Sequence, residues 1–93
     1  MTTIVLHLYI AGVTVTAERA IDNLRRFVSK LEENGHRVDV EVIDILERPQ
    51  LAEDERILAT PVVIKKLPLP SRRIVGDLSE QDKVLIGLDL KER

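Results

Sequence analysis

Apolar residues recur along this chain with two different periods, and the changes between them mark its elements. Residues 4–10 (IVLHLYI) are apolar except for His7, a run that predicts a strand buried on both faces of a mixed or parallel sheet. Ala11-Gly12 ends it. Thr16 is then the expected N-cap of a helix, with Glu18 in the first turn where the helix dipole favours an acid. Ile21, Leu24, Val28 and Leu31 follow at three- and four-residue spacing, with Ala17, Ala20 and Phe27 widening the stripe, until Asn34-Gly35 stops the helix. Residues 37–45 return to period two. Val38, Val40 and Val42 fall on one face and Arg37, Asp39 and Glu41 on the other, which predicts a strand with one wet face. Strand, helix and strand in this order predict a parallel crossover unit.

The second half alternates less cleanly. Pro49 can open a short helix over 50–58 (QLAEDERIL), with Leu51 and Leu58 on one face, and Thr60-Pro61 stops it. Residues 62–64 (VVI) predict a short strand, and 72–75 an antiparallel partner across the proline-spaced connector 67–70 (LPLP). Ser79 and Asp82 resemble a capping box opening a last helix over 80–90. The order is βαβαββα, an α/β thioredoxin-like arrangement within one domain spanning 1–93. The last helix is weak: Gly87 in its interior costs about 1 kcal/mol relative to alanine. Asp89 near its C-terminus adds roughly 0.3–1 kcal/mol of unfavourable dipole interaction. Residues 84–90 would serve equally as a strand.

Composition narrows the chemistry. The chain has no cysteine, which excludes thiol–disulfide exchange and thiolate metal sites. A net charge of −2 with acids and bases interspersed creates no field for nucleic acid or an anionic membrane. No apolar run approaches the roughly 20 residues of a membrane span, and Met1-Thr2-Thr3 lacks a basic leader, so the cytoplasm is the expected compartment. His7 and His36 have no ligand-spaced companions, and Gly12, Gly35, Gly76 and Gly87 spell no phosphate loop. No catalytic residue, metal or cofactor is expected. Two charged groups remain as docking candidates or plain solvated surface: the acidic Glu53-Asp54-Glu55, and the basic Arg56, Lys65, Lys66, Arg72 and Arg73.

Several segments together resemble the KaiB family: LYIAGVT (8–14), RAIDNL (19–24), VIDILERPQLAEDERILATP (42–61), RRIVGDLS (72–79) and VLIGLDL (84–90). The resemblance implies two folds, the thioredoxin-like βαβαββα form, which binds partners and is monomeric when free, and a βαββααβ ground state. The ground state self-associates to a dimer or tetramer. It further implies a non-enzymatic clock or signalling regulator. Such a protein docks on the N-terminal ring of a KaiC-like hexameric ATPase and displaces a histidine-kinase sensor domain from that site. It then recruits KaiA and promotes dephosphorylation. Docking is expected through the second helix and its neighbours, with Arg56, Ile57 and Lys65 contributing. Glu41 stands where clock members often carry a docking lysine. The positions of Gly87 and Asp89 hold the family's ground state in place, so Gly87→Ala and Asp89→Arg are expected to favour the helical form. Interconversion is expected in seconds to minutes if Pro61, Pro68 or Pro70 changes isomer.

Val15, where the family usually has proline, Leu69 within the proline cluster, and an end at Arg93 without the acidic tail of the cyanobacterial clock form point to a divergent or non-clock member. The competing reading is a thioredoxin-like sensor or oligomerising module in stress signalling with another protein partner.

Overall fold

The computed structural model describes residues 3–90. Its elements are β1 (Thr3–Ile10), α1 (Val15–Glu33), β2 (Arg37–Asp44), α2 (Pro49–Asp54), β3 (Val62–Leu67), β4 (Arg72–Val75) and α3 (Gln81–Gly87). The four strands lie in the order β2-β1-β3-β4. β2 runs parallel to β1 in register from Thr3↔Arg37 to Ile10↔Asp44, whereas β1–β3 and β3–β4 are antiparallel. The period-two pattern of β1 decides what covers each face. Ile4, Leu6, Leu8 and Ile10 join Ala20, Leu24, Phe27 and Leu31 of α1 and Val84 and Leu88 from the α3 region in the main core. Tyr9 faces the other way, into a smaller cluster with Ile43, Val62 and Ile64 that Leu51 and Ile57 flank. So α1 and α3 cover one face of the sheet and α2 only part of the other.

Local expectations shift at the element ends. Thr14, not Thr16, caps α1: its hydroxyl accepts the Ala17 N–H at 3.0 Å, and helical geometry begins at Val15. Nor does Ser79 cap α3: the helix begins after Glu80 without a side-chain cap, and Ser79 instead donates its N–H to Asp77 Oδ1 at 3.1 Å. The valines of β2 are less covered than alternation predicts, Val40 and Val42 being 42% and 43% exposed. β2 is the sheet edge, and α1 leaves a groove of about 460 Å3 beside them. The buried residue of β2 is Ile43, on the opposite face.

Helix ends account for the larger corrections. α2 stops at Asp54 instead of running to Leu58, because Arg56 takes a left-handed conformation (φ 53°) and the Ile57 N–H reaches back to the Ala52 carbonyl at 2.8 Å. α3 stops at Gly87 in the same way. Asp89, expected on the helix, lies past its end at φ 57°, and the Leu90 N–H meets the Leu85 carbonyl at 2.9 Å. The peptide bonds before Pro61, Pro68 and Pro70 are cis.

Candidate protein-docking face

α2 is pinned to the sheet from its C-terminal side. The Glu55 carboxylate meets Lys66 Nζ of β3 at 2.5 Å. Arg73 of β4 donates to the Glu55 carbonyl at 3.0 Å and the Arg56 carbonyl at 3.3 Å, supplying donors to carbonyls that the helix end leaves free. Of the acidic trio, Glu55 is therefore committed to holding the element, while Glu53 and Asp54 are exposed. Ile57 turns inward against the Tyr9 cluster. The Tyr9 phenol is pushed above its ordinary value of 10.0, first by burial and then by the charges of Glu55 and Glu41, so it presents a neutral floor.

The residue that sequence periodicity misplaced is Leu58. Assigned to the buried face of a longer helix, it instead follows the left-handed turn at Arg56 and is 96% exposed. Ala52, Glu53, Arg56, Ile57 and Leu58 line a shallow recess of about 460 Å3. Among the described residues, the Arg56 guanidinium is engaged in no ion pair with a carboxylate. No motif announces this arrangement. Only the early helix stop, forced by a non-glycine residue, produces it.

Glu41 belongs to the same sheet face. Its carboxylate lies 3.7 Å from His7 Nε2 and 3.4 Å from Arg48 Nη1, and the His7 ring packs edge-on to Tyr9. Three docking candidates, Glu41, Arg56 and Ile57, thus share one side of the sheet. Lys65 does not. It pairs with Leu6 and points to the α1/α3 side, where it is 1% exposed. Alternation along β3 sends Lys66, with Val62 and Ile64, toward α2, and Lys65, with Val63, to the other side. Lys65 Nζ reaches the Asp89 carbonyl at 3.5 Å, and burial lowers its pKa while the Asp89 charge opposes the shift. In this conformation its charge is not at the docking face.

Of the fold-switch candidates, Pro61 is buried ahead of β3, and Pro68 and Pro70 occupy the β3–β4 turn. Gly87 and Asp89 end α3 on the far side of the sheet. Among the described residues no group of three or more His, Asp or Glu is placed to hold a metal ion, and no helix is long and apolar enough to cross a membrane.

Comparison with known proteins agrees with this geometry. The KaiB domain family model matches residues 7–90. The chain is 50% identical over 90 residues to the circadian clock protein KaiB3 of Synechocystis sp., covering 97% of this chain and 86% of that protein. It is 52% identical over 88 residues to the circadian clock oscillator protein KaiB of Synechococcus elongatus, covering 95% and 84%. Among solved structures, the N-terminal domain of Synechococcus elongatus SasA superposes with a TM-score of 0.77 at 21% identity, over 100% of this chain and 90% of that one. Mitochondrial thioredoxin 3 of Saccharomyces cerevisiae follows at 0.72 and 14% identity, over 92% and 76%. These two likenesses establish the thioredoxin-like fold. A family match across nearly the whole chain, with half of its residues identical to named members, establishes the rest: the chain belongs to the KaiB family.

Proposed function

We propose that this chain is a non-enzymatic, cytoplasmic clock or signalling regulator whose α2 face docks on the N-terminal ring of a KaiC-like hexameric ATPase and promotes its dephosphorylation phase. The observation that carries this reading is Leu58, almost fully exposed beside the uncommitted Arg56, on a segment held firmly by Glu55–Lys66 and Arg73. Arginine is enriched among interface hot spots, and here it stands beside an exposed apolar side chain on a segment tied to the sheet. The SasA-like shape supports competition with a sensor domain for one ring site, since a competitor of the same fold can present the same face. KaiA recruitment and a dimeric or tetrameric ground state complete the reading. Switching between folds draws support from the left-handed residues. Among the described residues, the non-glycine residues at positive φ, Arg56, Leu78 and Asp89, all lie in the second half, where Gly76 joins them, whereas Gly12 and Gly35 fill that role in the first.

The test is binding of the full chain to a KaiC-type hexamer with ATP. Arg56→Glu and Leu58→Asp are each expected to weaken binding at least about tenfold with the fold intact. Glu41→Lys, which introduces the lysine that clock members often carry there, is expected to strengthen it. If Arg56→Glu and Leu58→Asp both bind as the parent does, the docking face lies elsewhere.

A further inference from the structure

Asn23 is a polar residue in an otherwise apolar stripe: it sits mid-helix in α1 yet is only 8% exposed. Asparagine is a poor residue for a helix interior, so something other than helix formation occupies its side chain. Its Nδ2 donates to the Asp77 carbonyl at 2.7 Å, joining α1 to the loop before α3. Its Oδ1 accepts from the Arg26 guanidinium, which orients the amide. From the other side, Gln81 Nε2 donates to the Asn23 backbone carbonyl at 3.2 Å and to the Leu78 carbonyl at 3.0 Å. Between these two amides the chain passes through Leu78, buried and left-handed at φ 64°.

We infer that Asn23 and Gln81 form a polar latch that seats residues 77–90 on α1 and sets how readily this segment opens. α3 needs such help. It has seven residues and no side-chain N-cap. Its buried contacts are few, chiefly Val84 with Leu88 just beyond it. The latch is also poised for release, because Gln81 Oε1 is buried without a hydrogen-bond partner among the described residues. Opening costs the two bonds between the segments, Asn23 to Asp77 and Gln81 to Asn23, but returns that oxygen to water. The inference goes beyond the docking and switching readings and needs neither: it concerns local opening of one segment.

Amide hydrogen exchange on the full chain tests it. In Asn23→Ala, the amides of Val84, Leu88, Asp89 and Leu90 are expected to exchange about tenfold faster. Those of α1 should be unchanged or slower, since alanine is the better helix former. Gln81→Met keeps side-chain length and removes both donor bonds, and it is expected to accelerate the same four amides. The latch is overturned if these amides keep parental rates in both variants. It is equally overturned if β1 and α1 accelerate as much as α3, which would mark ordinary global destabilisation. A second set of NMR shifts for residues 50–90 reports fold switching instead, so the two readings fail separately.

Discussion

Gly87 is the last helical residue of α3, and a methyl group there would lie 2.5 Å from Ile74 Cδ1 and 3.0 Å from Cγ1. Propensity favours alanine by at most about 1 kcal/mol, less at a helix end than in its interior. Driving the Ile74 ethyl arm off its rotamer costs roughly 0.5–1.5 kcal/mol. Gly87→Ala alone is therefore expected to be near neutral. In an Ile74→Val background, which lacks Cδ1, the same change should stabilise this fold by up to about 1 kcal/mol. Equal effects in both backgrounds, measured by urea unfolding, would remove Ile74 from the account. The propensity term was legible in the sequence, but the contact was not, because β4 and α3 meet only in the folded chain. Asp77 gives a second test. Hydrogen bonds from Ser79, its hydroxyl first and its N–H second, hold the Asp77 carboxyl below its ordinary value of 3.8. A folded pKa below the unfolded one contributes stability that is present above 3.8 and lost as pH falls through the folded value. Asp77→Asn is expected to flatten the decline of stability below about pH 4, read from unfolding midpoints at several acidic pH values. An unchanged slope would show that other carboxylates cause the decline.

At the scale of elements, all three helices end with the same pair of backward hydrogen bonds around one left-handed residue. The residues are Gly35 after α1, Arg56 after α2 and Asp89 after α3. Only the first is glycine, and only the first helix end was read correctly from sequence. Asn34-Gly35 is a recognisable stop, whereas nothing local marks arginine or aspartate for the same role. A side chain in this region costs on the order of 1 kcal/mol, somewhat less for aspartate than for arginine. Arg56→Gly and Asp89→Gly are each expected to stabilise this fold by about that amount, a rise in melting temperature of about 4–8 °C for a domain of this size. Arg56→Gly should weaken ring docking at the same time, because it removes the free guanidinium from the α2 face. Stabilisation without loss of docking would separate the helix stop from the interface.

For the molecule as a whole, the two substitutions combined bias any balance between arrangements. About 2 kcal/mol corresponds to a population shift of roughly thirtyfold. The Arg56→Gly/Asp89→Gly chain is expected to be monomeric by light scattering, with one set of NMR shifts for residues 50–90. The parent should show a second set and a larger species. A parent already monomeric with a single set would mean that this member does not switch. The apolar run of β1, the 3.6-residue stripe of α1 and the alternation of β2 determined the βαβ half, because each of those elements is long enough for its pattern to be legible by itself. The order of the remaining elements was also legible, and the blocks PQLAED (49–54), ILATP (57–61), GDLS (76–79) and VLIGLDL (84–90) together carried the family. Tertiary structure alone decided where α2 and α3 end, since their stops rest on backbone turns at Arg56 and Asp89 and on packing across the sheet. The face Lys65 takes follows plain alternation along β3: Lys65 shares the side of Val63 and Lys66 the side of Ile64, so period two within the strand was enough to place it. The sequence could therefore name the family and the order of its elements. Where Arg56 and Leu58 stand was set by a left-handed turn at Arg56, a backbone conformation that no period in the sequence encodes.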